Sequence, residues 1–348
     1  MNILLVTNMY PSKEKAYAGI FVKNQYEELK RIFDKDDAIE IFYMKRQFTS
    51  KHGSVVKYIK AFFNFIPFFF KKYDVVHLHF FYPLIYLVWM YKKLHPKTKV
   101  VVTFHGSDIN EKINSKNERH FKKVSKCIDF AIPVGKELAD NVTIKLGLKT
   151  GRTLSAGVDN RVFYQEPLKD KIYDYIFVGS FLKIKGVDLL LESISKLPKD
   201  FSFCIVGKGE YYEAEIKRMI NEGFNITLKI DQSQNELRSL FNQSRFLVQP
   251  SREEGFGLVV AEAMFCGLPV IVSNVGGFKE QVVNGKNGYL FEVEEINQLY
   301  EYLLSLKDIG DEEYNKLSKE AIRSSKKLSL QNICKQIYNI YKDLIKSA

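Results

Sequence analysis

Residues 245–269 read RFLVQPSREEGFGLVVAEAMFCGLP, and the stretch changes character twice. Arg245 to Ser251 is a short apolar run closed by Pro250, which reads as a β-strand. Arg252 to Phe256 is charged and contains a glycine, as a loop at the carboxyl end of that strand would be. From Gly257 to Phe265 the residues favour a helix, which Gly267 and Pro269 terminate. Strand, loop and helix in that order form half of a βαβ unit. The same grammar recurs in both directions along the chain.

Toward the N-terminus the strand candidates are ILLVTN, IEIFYM, DVVHLHF, VVVTFH and FAIPVG, with a helix through VKNQYEELKRIF after the first. A second series has YIFVGS, FSFCIVG, ITLKI, RFLVQPS, PVIVSN and a short GYLFE. Runs this continuously apolar suit parallel strands covered on both faces. Between the series, the stretch NRVFYQEPLKDKIYD after Gly157-Val158-Asp159 is polar and aperiodic, a linker. The chain of 348 residues therefore reads as two doubly wound Rossmann-like domains facing a central cleft, 1–165 and 166–348, with the last helix free to pack back on the first domain.

The helix that opens near Gly257 presents unpaired N–H groups and a partial positive charge, suited to phosphate. Gly255 and Gly257 let backbone come close to a ligand. Glu262 lies about five residues into the helix, roughly 7 Å along its axis, with its side chain tilted back toward the helix start. A carboxylate there repels phosphate but accepts hydrogen bonds from a neighbouring diol, while Glu254 meets hydroxyls on the other side. The plainer alternative has Glu254 capping the helix and Glu262 solvated.

The run from Glu254 to Phe291, EGFGLVVAEAMFCGLPVIVSNVGGFKEQVVNGKNGYLF, resembles nearly end to end the signature of glycosyltransferase family 4, retaining enzymes of the GT-B fold. Further similarity lies in TFHGSD (103–108), AGVD (156–159) and VGSFLKIKG (178–186). The opening YPSKEKAYAGIFVKNQ is similar to bacterial cell-surface polysaccharide members. The resemblance implies that Glu254 touches the donor sugar and that Glu262 holds the nucleotide ribose. Backbone N–H groups over Gly255, Phe256, Gly257, Leu258 and Val259 would meet sugar and diphosphate. His105, at the carboxyl edge of VVVTF, would approach the donor sugar, and Lys185 would bind the diphosphate. Gly19 would let backbone reach the phosphates. Ser180 stands where the pattern has arginine, with Lys183 as a substitute cation, and Ala156 stands where asparagine is common. His77 and His79 alternate on one strand face and read as core or cleft lining. Gly207-Lys208-Gly209 reads as a strand-end turn.

The implied activity is transfer of a sugar, by weight of the family from a UDP-sugar, to a lipid-linked or growing glycan in cell-surface polysaccharide synthesis. Configuration would be retained without an enzyme nucleophile, the departing phosphate oxygen taking the acceptor proton. No cofactor is expected. Asp34-Lys35-Asp36 spells the DxD of metal-dependent transferases, but in a charged turn that reads as a solvated loop, so activity is expected without added divalent ion.

Net charge is +11, concentrated in part between Lys45 and Lys72, where cationic residues flank six phenylalanines from Phe62 to Phe70 and Pro67 is expected to break any long helix. Rings among ammonium groups suit an anionic membrane surface; a core helix with a basic face is the alternative. No nucleic-acid motif accompanies the charge. Four scattered cysteines without a CxxC pair point to a reducing compartment. MNILLVTNMYPS reads as a first strand, not a signal peptide. The expected location is cytoplasmic, peripheral at the inner face of the plasma membrane. Two other readings stay open: a same-fold epimerase or phosphorylase, and a noncatalytic basic protein that binds nucleic acid or membrane.

Overall fold

The computed structural model describes residues 1–12, 19–44, 51–167 and 171–347 and, for 51–55, the backbone alone. Residues 13–18 of the opening motif and 45–50 of the basic aromatic segment lie outside the described residues. The chain divides into two compact units, Met1–Gly157 with Leu330–Ala348, and Val158–Ser329.

In the first unit, strands β1 (Asn2–Thr7), β2 (Ala38–Tyr43), β3 (Val75–His79), β4 (Lys99–Phe104) and β5 (Phe130–Pro133) form one parallel sheet in the order β2-β1-β3-β4-β5. Leu4, Leu5, Val76, Leu78, Val100 and Val101 are fully buried, as strands covered on both faces must be. The final helix, Leu330–Lys346, packs on helix Ile20–Ile32, and its Ile333, Cys334, Ile337 and Tyr341 enter the core around Val22, Leu29 and Val101.

In the second unit, β6 (Tyr173–Val178), β7 (Phe203–Val206), β8 (Ile226–Lys229), β9 (Ser244–Gln249), β10 (Val270–Ser273) and β11 (Gly288–Phe291) are ordered β11-β10-β9-β6-β7-β8, again parallel. Counted from the first strand of the unit, this is the 3-2-1-4-5-6 order of dinucleotide-binding folds. Its switch point, where the crossovers change direction, lies between β6 and β9. The loops at the carboxyl ends of those two strands carry Ser180, Lys185 and Glu254.

The division expected at 165/166 falls instead at Gly157/Val158, because Val158 and Phe163 belong to the core of the second unit. Gly157 has φ +80°, and a Cβ there would lie 2.9 Å from Leu330 Cα. Val158 N–H donates to Leu328 O at 2.9 Å. The chain thus leaves the first unit and returns to it side by side.

Pro67 does not break its helix, which runs from Lys51 to Phe69. The proline falls in the last turn, where little helix remains to lose, and buried Ala61 and Phe65 anchor the segment through the Phe42 ring, 4.9 Å from that of Phe65. Its other face is exposed at Ile59 (52%) and Phe63 (61%), and Phe70, just past the helix, is exposed as well (84%). No helix among the described residues is long and apolar enough to cross a membrane.

Candidate active site

The loop after β9 is fixed by one arginine. Arg252 donates a fork of hydrogen bonds to Asp188 (2.7 and 2.9 Å) and a second to Glu294 (2.5 and 3.1 Å), and its guanidinium also reaches Lys183 O at 2.5 Å. The Asp188 hydrogen bonds, with help from Glu294, hold its pKa above even the usual arginine value. Its backbone N–H donates to Ile184 O at 2.8 Å. Together these bonds tie the 3-10 turn Lys183–Lys185, which follows β6, to the loop that follows β9. Gly186 allows the fit: at φ +68° its missing Cβ would lie 1.8 Å from Pro250 O. The result is an ion pair, Lys185 Nζ to Glu254 Oε2 at 2.6 Å, partly open to solvent on both sides.

The helix spans Leu258–Phe265, with Gly257 as its left-handed N-cap and no side-chain cap. Glu254 therefore does not cap it. The carbonyls of the loop face inward: Gly277 N–H donates to Glu254 O at 3.4 Å, and Gln281 Nε2 donates to Phe256 O at 2.5 Å and Gly257 O at 3.4 Å. A Cβ on Gly276, at φ +42°, would lie 1.8 Å from Glu254 O, so only glycine lets this second loop brace the first. Turning the carbonyls inward leaves the amides outward. Among the described residues, the N–H groups of Gly255, Phe256, Gly257, Leu258 and Val259 have no acceptor within the protein. Consecutive open amides at a helix N-terminus form an anion-binding surface.

Glu262 sits one turn into this helix, and burial raises its pKa to about 7. The residue is half-buried, and its carboxylate makes no hydrogen bond or ion pair among the described residues. A half-buried carboxylate without a protein partner keeps its oxygens open to accept from a ligand hydroxyl. Ser180, two residues past β6, is exposed, and its carbonyl accepts from Leu182 N–H at 2.8 Å. The turn at Gly207 packs under it: a Cβ on Gly207 would lie 1.8 Å from Gly179 O, and Lys208 is paired to Asp231 at 2.8 Å.

In the first unit, Gly19 caps helix Ile20–Ile32 at φ +75°, and any Cβ would meet the Met9 carbonyl at 2.6 Å. His105 follows β4. Its backbone N–H and that of Gly106 donate to Asp108 Oδ1 (3.1 and 3.0 Å), and Phe81 N–H donates to Oδ2 at 2.9 Å. Burial raises the Asp108 carboxyl to about 6. The His105 ring stacks on Phe80 at 4.2 Å, and its Nε2 lies 3.2 Å from His79 Nδ1. His77 is fully buried between Tyr341 Oη (2.5 Å) and Thr103 Oγ1 (2.8 Å), a satisfied core histidine. Asp34 is paired to Lys342 at 2.9 Å and accepts from Tyr338, and no metal-binding cluster occurs among the described residues.

The structure thus joins Lys185, Glu254 and the open amides in one place. Sequence reasoning gave no role to Arg252, Gly276 or Gln281. The Gly276-Gly277 pair was a visible signal of close backbone approach; Arg252 had none beyond its position beside Glu254.

A dinucleotide-type sheet with an anion surface at its switch point, in a chain with a second parallel α/β unit, defines the GT-B class of glycosyltransferases. The comparisons agree. Residues 26–160 match the model "Glycosyltransferase Family 4" and residues 159–324 match "Glycosyl transferases group 1". The chain is 34% identical over 278 residues to an uncharacterised glycosyltransferase of Methanocaldococcus jannaschii, covering 78% of this chain and 76% of that one. It is 25% identical to the N-acetyl-alpha-D-glucosaminyl L-malate synthase of Bacillus anthracis, covering 78% and 75%. Its fold matches that of Anabaena HepE, solved in complex with UDP-glucose, with a TM-score of 0.76 at 16% identity over 99% of this chain and 100% of that one. The protein belongs to glycosyltransferase family 4.

Proposed function

We propose that this glycosyltransferase moves a sugar from a UDP-sugar to a hydroxyl of a lipid-linked or growing glycan in cell-surface polysaccharide synthesis, with retention of configuration. The observation that carries the donor assignment is the row of open amides over Gly255–Val259 between two acidic groups, Glu254 and Glu262. The UDP-glucose bound to HepE supports the choice of nucleotide.

The diphosphate binds the open amides, and Glu262 accepts hydrogen bonds from the ribose diol. Phosphate competes with Glu254 for Lys185. When the lysine turns to the diphosphate, Glu254 is released to accept from hydroxyls of the donor sugar. As the sugar–oxygen bond breaks, charge grows on the departing phosphate, and amides and lysine already in place stabilise it. These groups supply the positive charge that the leaving group needs, so turnover proceeds without added divalent ion. The departing phosphate oxygen takes the proton of the acceptor hydroxyl, which attacks from the same face. His105 is assigned to the donor sugar, Gly19 to the phosphates and Ser180 to the place of the missing arginine, all three on the family resemblance.

The exposed ring face of helix Lys51–Phe69, with Lys71 and Lys72 just beyond it, supports peripheral attachment to anionic lipid.

The test is a thermal-shift panel of nucleotide sugars, followed by turnover and NMR of the product anomer for the strongest ligand. A specific UDP-sugar that raises the melting temperature and yields the same anomeric configuration supports the proposal. Stabilisation by no nucleotide sugar, or an inverted product, overturns it.

A further inference from the structure

His105 has a neighbour that constrains which of its nitrogens carries the proton. His79 is completely buried on β3, and its Nδ1 lies 3.2 Å from His105 Nε2. One hydrogen is shared across that contact, so exactly two neutral arrangements exist. In the first, His79 Nδ1–H donates, His79 Nε2 is bare, and His105 carries its proton on Nδ1. In the second, His105 Nε2–H donates, and His79 carries its proton on Nε2.

The far nitrogen of His79 decides between them. His79 Nε2 is buried and has no hydrogen-bond partner among the described residues. The second arrangement would leave an N–H there without an acceptor, whereas the first leaves a lone pair; orphaned buried donors are the rarer of the two. The surroundings cannot supply an acceptor from His77, whose two nitrogens are taken by Tyr341 and Thr103. Burial also keeps both rings neutral: His79 falls to about 3, and His105 is pushed well below its ordinary value.

We infer that His79 is a positioning residue that holds His105 as the Nδ1–H tautomer, so that the free edge of the His105 ring is a hydrogen-bond donor and not a base. His105 Nδ1 has no partner among the described residues, and stacking on Phe80 fixes the ring plane. A donor there suits a hydroxyl or phosphoryl oxygen of the donor substrate. That last consequence rests on the role proposed for His105; the tautomer itself does not.

The direct test is a long-range 1H–15N spectrum of the full chain labelled at histidine nitrogens, assigned by single histidine replacements. The expected result is a protonated Nδ1 and bare Nε2 for both His105 and His79. A protonated Nε2 on either ring overturns the inference, whether or not sugar transfer is ever detected. Turnover then tests the consequence. His79→Asn places an amide N–H where Nδ1–H stood, and His79→Gln places it at the far nitrogen. Asn is expected to keep kcat within about threefold of the parent, and Gln to lower it about tenfold with KM little changed. Equal loss in both variants, at equal melting temperatures, contradicts positioning by His79.

Discussion

Lys185 Nζ lies 2.6 Å from Glu254 Oε2, and this contact joins the loops at the two sides of the sheet's switch point. In the proposed reaction the pair would part on donor binding, the lysine turning to the diphosphate and sugar hydroxyls taking its place on the carboxylate. Replacing Lys185 by Ala is expected to lower kcat/KM by about 100- to 1,000-fold, equivalent to ~3–4 kcal/mol of lost transition-state stabilisation. Steady-state kinetics with saturating acceptor measures it, and a loss of less than about fivefold removes the lysine from the reaction.

Glu254→Gln keeps the shape of the side chain but makes one of its acceptor oxygens a donor. Turnover is expected to fall by about two orders of magnitude or more, while affinity for UDP, which lacks the sugar, changes little. Isothermal titration beside kinetics separates the two effects. Near-normal turnover would place the donor sugar elsewhere.

Glu262 should give donor binding a pH dependence. Its folded pKa, about 7, is raised from the ordinary 4.5 by burial. A raised value stabilises the native state below the unfolded value, near pH 4.5, and that contribution is lost as pH rises through about 7. Ribose hydroxyls prefer the ionised carboxylate, so binding of a UDP-sugar should tighten as pH rises from 6 to 8 and release a proton. Titration in buffers of different ionisation enthalpy detects the proton. Glu262→Gln is expected to flatten the pH dependence; an unchanged dependence assigns it to another group.

Gly276→Ala tests the brace behind the open amides. The new Cβ would lie 1.8 Å from Glu254 O at a backbone φ of +42°. The second unit is expected to lose ~3 kcal/mol or more in urea unfolding. Gly285→Ala is the control: its φ is +72°, but nothing lies within 4 Å of the new atom. That variant is expected to lose only ~1–2 kcal/mol of left-handed strain. Equal losses would mean that contact with the Glu254 carbonyl is unimportant.

The exposed aromatic helix predicts attachment to anionic vesicles. Lys57, Lys60, Lys71 and Lys72 replaced together by Glu should abolish flotation with phosphatidylserine vesicles, each cation contributing about 1 kcal/mol. Because Lys71 also pairs with Glu40 at 2.8 Å, circular dichroism must show the variant folded. Flotation undiminished by the reversal counts against the membrane reading.

Much of this was legible in the chain because parallel strands announce themselves. VVHLH and KVVVTF are buried on both faces, and their apolar content leaves few other assignments. The loop and helix start that carry Glu254, Gly257 and Glu262 were legible because glycines between an apolar strand and a helix-favouring run leave few other local structures. The clamp by Arg252 was not. Its partners, Asp188 and Glu294, are 64 and 42 residues away, and only the folded sheet brings them to one guanidinium. The boundary at Gly157 was missed for a related reason: local polarity marks 160–174 as a linker, but Phe163 is held by a core assembled from distant strands. Likewise the link from His79 to His105 spans two strands, and alternation along one of them showed only that His77 and His79 share a face.

The pyrophosphate is expected at the start of helix Leu258–Phe265, and a crystal structure with an intact UDP-sugar is the decisive measurement. Phosphate oxygens should lie within hydrogen-bond distance of N–H groups between Gly255 and Val259, with Lys185 withdrawn from Glu254 onto the diphosphate and the ribose diol on Glu262. Density for the pyrophosphate away from that helix start, with the Lys185–Glu254 contact intact, would contradict it.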